Sequence, residues 1–157
     1  MEKITGKAII FTDVHIGRKQ FSFEKAESTL EFMETEIKKS GINNLFILGD
    51  FYDNRKFIDW RVFNRVTQFF ESLKDINIFM VVGNHDIYYK NRIDENSISY
   101  LEKMFSNIKV IQKTELIEFN KKKVLFVPWL VDDEDENNPT KEQIKKADLI
   151  LGHFEFI

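Results

Sequence analysis

The chain has 157 residues, 43% of them apolar and 31% charged, with six Gly and two Pro, which suits one folded domain with a sizeable core and excludes disordered, collagen-like and low-complexity chains. It has no Cys, so disulfides, thiolate metal sites and Cys nucleophiles are excluded together; any metal must be held by oxygen and by the imidazoles of His15, His85 and His153. A net charge of −3 argues against a broadly basic nucleic-acid binder but leaves room for a local positive rim.

In chain order, Lys7 to Asp13 reads as a buried strand. From Phe23 the set Ala26, Leu30, Met33 and Ile37 follows helical spacing, and Ser40-Gly41 stops that helix. Asn44 to Asp50 is a second buried strand. Asp59 is placed to cap a helix running to about Lys74, with Val66, Phe70 and Leu73 on one face. Ile78 to Asn84 is a third strand, Ser97 to Phe105 a helix, and Ile108 to Ile111 a fourth strand. Glu115 to Phe119 and Val124 to Trp129 flank a hairpin turn at residues 120–123. Thr140 and Gln143 have capping-box spacing, and Asp148 to Phe154 is the last strand. The alternation predicts an α/β domain over 1–157, built on a mainly parallel sheet with helices on both faces and a ligand crevice beyond the strand ends. The last strand finishes close to residue 157, which raises the expectation that C-terminal elements are missing. No apolar run approaches a membrane span and Met1-Glu2-Lys3-Ile4 lacks a signal-peptide layout, so a cytoplasmic location is expected.

The strand ends carry Asp13-Val14-His15, Gly49-Asp50-Phe51-Tyr52-Asp53, Gly83-Asn84-His85-Asp86 and Gly152-His153, a set that uses every histidine. Period-two alternation would point Asp13 and His15 the same way, so the pair could chelate one ion. Asp50, Asn84 and His153 would converge on the same crevice if their strands are neighbours. The glycines suit tight turns or a close approach to an ion or phosphate. Hydrolysis of a phosphate ester needs charge neutralisation and an activated water, which a two-metal site supplies, and Asp50, central in the order, is the candidate bridge. Two divalent ions against Asp13 and Asp50 leave net positive charge for an anionic substrate. His85 is placed to protonate a leaving oxygen, with Asp86 behind it to fix its tautomer, and Asp53 is a candidate supporting residue.

These motifs resemble the calcineurin-like metallophosphoesterase superfamily, whose pattern is DxH, GDxxD, GNH[DE], a lone His and then GHxH. The stretch after Asn84-His85-Asp86, the segment Phe126 to Trp129 and Gly152 to Phe156 resemble the SbcD-type DNA repair nucleases within it, including a phage recombination endonuclease subunit. The resemblance implies a β-sandwich with flanking helices in four layers. It implies two metal ions, Mn²⁺ ahead of Mg²⁺, Fe²⁺ or Zn²⁺, with Asp13 and His15 on one, Asp50 bridging, Asn84 and His153 on the other, and His85 acting on the scissile phosphodiester. It also implies exonuclease and endonuclease activity on DNA in recombination and repair, an SbcC-type ATPase partner, and a bacterial or phage-infected host cell. No GHxH follows His153, so each ion would keep three protein ligands, and the family's capping domain is missing. The expectation is a fragment whose activity is in doubt.

Arg18, Lys19, Arg55, Lys56, Lys90 and Arg92 follow the first three motifs and would give a positive mouth for a phosphate backbone. Phe57, Trp60, Phe63, Phe69 and Phe70 are too many for one face of the helix at 59–74, and a homodimer contact there is expected. Two further readings share these residues: a general metallophosphoesterase acting on nucleotides or phosphoproteins, and a non-catalytic DNA- or partner-binding module.

Overall fold

The elements are Lys3–Ile4 (β1), Ala8–Phe11 (β2), Phe23–Ser40 (α1), Asn44–Leu48 (β3), Trp60–Glu71 (α2), Asn77–Val81 (β4), Ser99–Met104 (α3), Ile108–Ile111 (β5), Glu115–Phe119 (β6), Lys122–Val127 (β7), Lys141–Lys146 (α4) and Leu149–Gly152 (β8). The structure, a computed structural model, describes residues 1–17, 23–132 and 137–154.

β3 is buried at every position, which a strand can be only when both faces are covered. It lies inside an all-parallel sheet ordered β2-β3-β4-β5. One face, with Leu45, Ile47, Ile78, Met80 and Val110, packs against Leu30 and Met33 of α1, Val66 and Phe69 of α2, and Leu101 of α3. The opposite face, with Phe46, Leu48, Phe79 and Val81, is covered by Ile117, Val124 and Phe126. Those residues belong to a second, mixed sheet ordered β1-β6-β7-β8. The expectation of helices on both faces of the parallel sheet is therefore corrected, because a second sheet takes the place of one helical layer. Four phenylalanines join the layers: Phe46 lies edge-on to Phe79, Phe119 and Phe126 at centroid separations of 5.6, 5.5 and 5.3 Å. Such pairs add to simple area burial.

Local signals set several boundaries. The Asp59 carboxylate accepts the Arg61 N–H at 2.8 Å and caps α2, and the Thr140/Gln143 capping box opens α4. The hairpin turn is two residues rather than four. Asn120 and Lys121 both have positive φ, at 50° and 67°, as a type I′ turn requires. β1 has no sequence signature, being two residues long; it pairs in parallel with β6 and is tied to the Asn120 turn. β2 and β8 each lie at an edge of their sheet. Between them runs an open groove of about 480 Å³ whose lining includes Ile10, Phe46, Phe119, Leu149 and Leu151. No described helix is long and apolar enough to cross a membrane.

Candidate metal centre

The parallel sheet delivers three of the four motifs at the carboxyl ends of adjacent strands, and backbone hydrogen bonds carry the pairing beyond the strands themselves. The His15 N–H donates to the Asp50 carbonyl at 2.9 Å, Ile16 to Phe51 at 2.8 Å, and Asp53 to Ile16 at 3.0 Å. The loops after β2 and β3 are thus zipped side by side. The fourth motif comes from the other sheet. The Trp129 N–H donates to Val82 at 2.8 Å and the His153 N–H to Val127 at 3.1 Å, so the segment after β7 joins the two sheet ends and brings His153 across. Its Nδ1 then lies 3.0 Å from the Leu48 carbonyl.

Five described non-glycine residues have φ in the left-handed region. Two form the hairpin turn; the other three are Asp13 (54°), His15 (49°) and Asp50 (52°). Positive φ costs of order 1 kcal/mol per residue and persists where surrounding structure imposes it. Asp13 and His15 therefore do not converge by strand alternation; the strand has already ended at Phe11, and two left-handed residues aim the side chains instead. Glycine at two of these turns is required by protein contacts. A Cβ at Gly49 would lie 2.4 Å from the His153 ring, and one at Gly83 2.3 Å from Asp50 Oδ1.

Asp50 is the hub. Its side chain is 4% exposed; Oδ2 lies 3.7 Å from His15 Nε2 and 3.4 Å from His153 Nε2, while Oδ1 accepts the His85 N–H at 2.8 Å. Asp13 Oδ1 is 4.0 Å from His15 Nε2, and the Asp13, His15 and Asp50 donors lie within 4.8 Å of one another. On the other side, Asn84 turns its amide inward, 2.9 Å from His153 Nε2 and 3.1–3.2 Å from the two Asp50 oxygens. With nitrogen inward, that amide donates to Asp50 and His153. With oxygen inward, it adds a third electron donor to a carboxylate and an imidazole lone pair, an arrangement that only a shared proton or a cation satisfies. Oxygen and imidazole donors without thiolate fit Mn²⁺, Mg²⁺, Fe²⁺ or Zn²⁺, and a His153 Nδ1–H held by a backbone carbonyl fixes the tautomer that a ligating Nε2 requires.

Burial pushes the Asp50 carboxyl up, but the His153 hydrogen bond, the His85 N–H and the two imidazoles outweigh it and hold the acid below its ordinary range. Burial likewise pushes His153 down, and Asp50 together with the Leu48 carbonyl reverses this, leaving it raised. A proton on His153 and a cation at Asp50 are thus competitors.

The support for His85 comes from Asp53, not Asp86. His85 Nδ1 lies 3.1 Å from the Asp53 carbonyl, its ring meets His15 edge-on at 4.9 Å, and Asp53 Oδ1 is 3.2 Å from His15 Nδ1. That last approach is off the line of a hydrogen bond, so Nδ1 has no hydrogen-bond partner. Asp86 is fully buried; it accepts from the N–H groups of Gly83 (2.9 Å) and Tyr52 (3.2 Å) and lies 3.4 Å from Ser97 Oγ. In the tight turn at 83–86, closed by Asp86 N–H to the Gly83 carbonyl, neighbouring side chains part: His85 goes to the site and Asp86 into the core. Reading the sequence alone overlooks Thr12, whose hydroxyl lies 2.5 Å from Asp13 Oδ2 and 3.0 Å from the Leu48 carbonyl, and Trp129, whose ring is 6.1 Å from that of His153.

Of the six cations expected at the rim, Arg18 and Lys19 lie outside the described residues. Arg55 spends its guanidinium on the Asn84 carbonyl at 3.0 Å and so fixes a site loop. Arg92 pairs with Asp94 and Glu95. Lys56 lies over the Tyr88 ring, and Lys90 is exposed. In α2, Phe69 and Phe70 are buried, Phe63 is half-buried and stacks on Tyr100 at 5.4 Å, and Trp60 is 73% exposed, as is Phe57, just before the helix, at 78%. The aromatic surplus is therefore divided between core and surface.

The sequence matches the calcineurin-like phosphoesterase family over residues 6–155. Exonuclease subunit 1 of Enterobacteria phage T4 is 31% identical over 122 residues, which is 75% of this chain and 35% of that protein. Putative phosphoesterase 078R of Invertebrate iridescent virus 3 is 22% identical over 152 residues, 90% of this chain and 43% of that one. A crystal structure of the Pseudomonas putida nuclease MPE superposes with a TM-score of 0.48 at 25% identity, covering 66% of this chain and 46% of that one. The chain spans less than half the length of these relatives.

Proposed function

Because the chain belongs to the calcineurin-like phosphoesterase family, we propose that it carries the metal-dependent nuclease site of a DNA exonuclease/endonuclease subunit, hydrolysing phosphodiester bonds in recombination and double-strand-break repair. The observation that carries this reading is the convergence of Asp13, His15, Asn84 and His153 on the buried Asp50 carboxylate, supported by the 31% identity to a phage exonuclease subunit. Asp13, His15 and Asp50 would hold one divalent ion, and Asp50, Asn84 and His153 a second, Mn²⁺ before Mg²⁺, Fe²⁺ or Zn²⁺. Such ions supply neutralisation of phosphoryl charge and a lowered pKa for water. His85, anchored through Nδ1 to the Asp53 carbonyl, presents Nε2 to the leaving oxygen as general acid. Lys56 and Lys90, with Arg18 and Lys19, serve the phosphate backbone. In the whole protein the partners are DNA and an SbcC-type ATPase, in the cytoplasm of a bacterial or phage-infected cell.

Calorimetric titration of the EDTA-stripped chain with Mn²⁺, followed by cleavage of a labelled DNA oligonucleotide, tests this reading. The expected result is two ions bound and DNA cut in preference to nucleotides and phosphoproteins. Cleavage confined to the latter substrates would instead indicate a general phosphoesterase, and absence of Mn²⁺ binding would remove catalysis by this chain.

The exposed Phe57 and Trp60 supply the homodimer contact in this reading. Trp60→Glu should turn a sedimenting dimer into a folded monomer that unfolds cooperatively, since the Trp60 ring is 73% exposed and meets Phe63 only edge-on. A monomeric parent chain would remove the dimer. Phe63→Glu is a poorer probe because Phe63 stacks on Tyr100.

A further inference from the structure

Two consecutive tyrosines follow the His85 turn and neither is core: Tyr88 and Tyr89 are 41% and 44% exposed. They do not sit on a loose loop. Ile87 is buried and bridges to Asn96, and the Tyr88 N–H donates to the Glu95 carbonyl at 2.8 Å. Arg92 braces the same segment through Asp94 and Glu95. The rings meet edge-to-face at 4.7 Å, with Arg92 lying 5.4 Å from the Tyr89 centroid and Lys56 Nζ 5.2 Å from that of Tyr88. Lys56 comes from the loop after β3, the loop whose Arg55 grips the Asn84 carbonyl. The two loops that bring Asp53 and His85 to the centre therefore meet again at Lys56 and Tyr88. Tyr88 is three positions after His85, a reach of at most about 11 Å.

Exposed aromatic rings beside cations suit unpaired nucleotides. Each base has a π-face to lay on a ring, and each phosphate a charge for an ammonium. A Watson–Crick duplex has already stacked its bases and gains nothing from such rings. We propose that Tyr88 and Tyr89 form a base-stacking platform for an unpaired DNA strand next to the His85 mouth, with Lys56 released from the Tyr88 ring to the strand's backbone. This rests on the nuclease reading above and adds to it which form of DNA is held, and by what.

The test is binding of the full chain in EDTA, by fluorescence anisotropy, to a short single-stranded DNA and to an abasic strand of the same length and charge. The parent chain should bind the base-bearing strand about tenfold or more tightly, as expected for one or two stacked bases. Tyr88→Ala/Tyr89→Ala should remove that ratio, and Tyr88→Phe/Tyr89→Phe should restore it, since stacking needs the ring and not the hydroxyl. Equal affinity of the parent chain for both strands would overturn the platform, as would a ratio that survives the alanine pair. Failure of the nuclease reading is distinguishable. It would show as base-dependent binding in EDTA with no cleavage once Mn²⁺ is added, whereas failure of the platform alone leaves cleavage without base-dependent binding.

Discussion

Asp50→Asn is expected to leave the fold intact and lower Mn²⁺-dependent phosphodiester hydrolysis by about 10³-fold or more, some 4 kcal/mol of transition-state stabilisation. The amide has the shape of the acid, so one oxygen can still accept the His85 N–H that Asp50 Oδ1 takes. What the variant loses is charge at the one place shared by both halves of the donor set. Two divalent ions would bring four positive charges, opposed by two negative charges from Asp13 and Asp50; with asparagine only Asp13 would oppose them, so the pair of ions would be held less well. Calorimetry should show at most one Mn²⁺ bound, against the two expected for the parent. Two ions and unchanged turnover in Asp50→Asn would refute the bridging role.

Asp86→Ala is expected to destabilise the chain by about 3 kcal/mol at pH 5, lowering the melting temperature by roughly 6–12 °C, because it leaves the buried N–H groups of Gly83 and Tyr52 without acceptors. The penalty should shrink as pH rises. Burial pushes the Asp86 carboxyl up to about 6, the Gly83 and Tyr52 N–H groups only partly opposing it and the Asp50 charge adding to it. A group whose folded pKa exceeds its unfolded value of 3.8 binds its proton more tightly when folded. The stability it contributes is full below about pH 4 and is lost as pH rises through about 6. The shift of about 2 units corresponds to ~3 kcal/mol in all, of which about 1.4 kcal/mol separates pH 5 from pH 7.5. Thermal unfolding of parent and variant in EDTA at these two pH values isolates the group together with its coupling to Asp50, the remaining titrations being common to both. A gap that is constant, or that widens with pH, would show that Asp86 is not the buried acid described.

Much of the molecule is legible in its residues. β3 and β4 are apolar runs after a leading asparagine, α2 has its Asp59 cap, α4 has its capping box, and each site motif sits where an apolar run ends. That placement is what groups Asp13, His15, Asp50, Asn84 and His153 in the sequence. What could not be read is what depends on backbone direction. Positive φ at Asp13, His15 and Asp50 leaves no sequence mark on an aspartate or histidine, and the parting of His85 and Asp86 depends on a turn geometry. The second sheet was hidden because a strand buried on both faces looks the same under a helix as under another sheet; only the superfamily resemblance, through its β-sandwich, pointed to it. The tie between Arg55 and the Asn84 carbonyl joins residues 29 apart, and no local pattern announces it.

The groove between β2 and β8 bears on solubility. Among the described residues no strand pairs with the outer side of either, and Ile10, Leu149 and Ile150 are 47%, 49% and 39% exposed there. Protected edges carry charges, prolines or bulges along the strand, yet Ala8–Phe11 and Leu149–Gly152 carry none of the first two. Two unguarded apolar edges on one side of a sandwich invite any extended segment, including one from another copy, to continue the ladder. Among the described residues, then, these two edges are where an added strand, from another copy or from another part of a longer chain, would extend the sheets without disturbing the ionisable mouth.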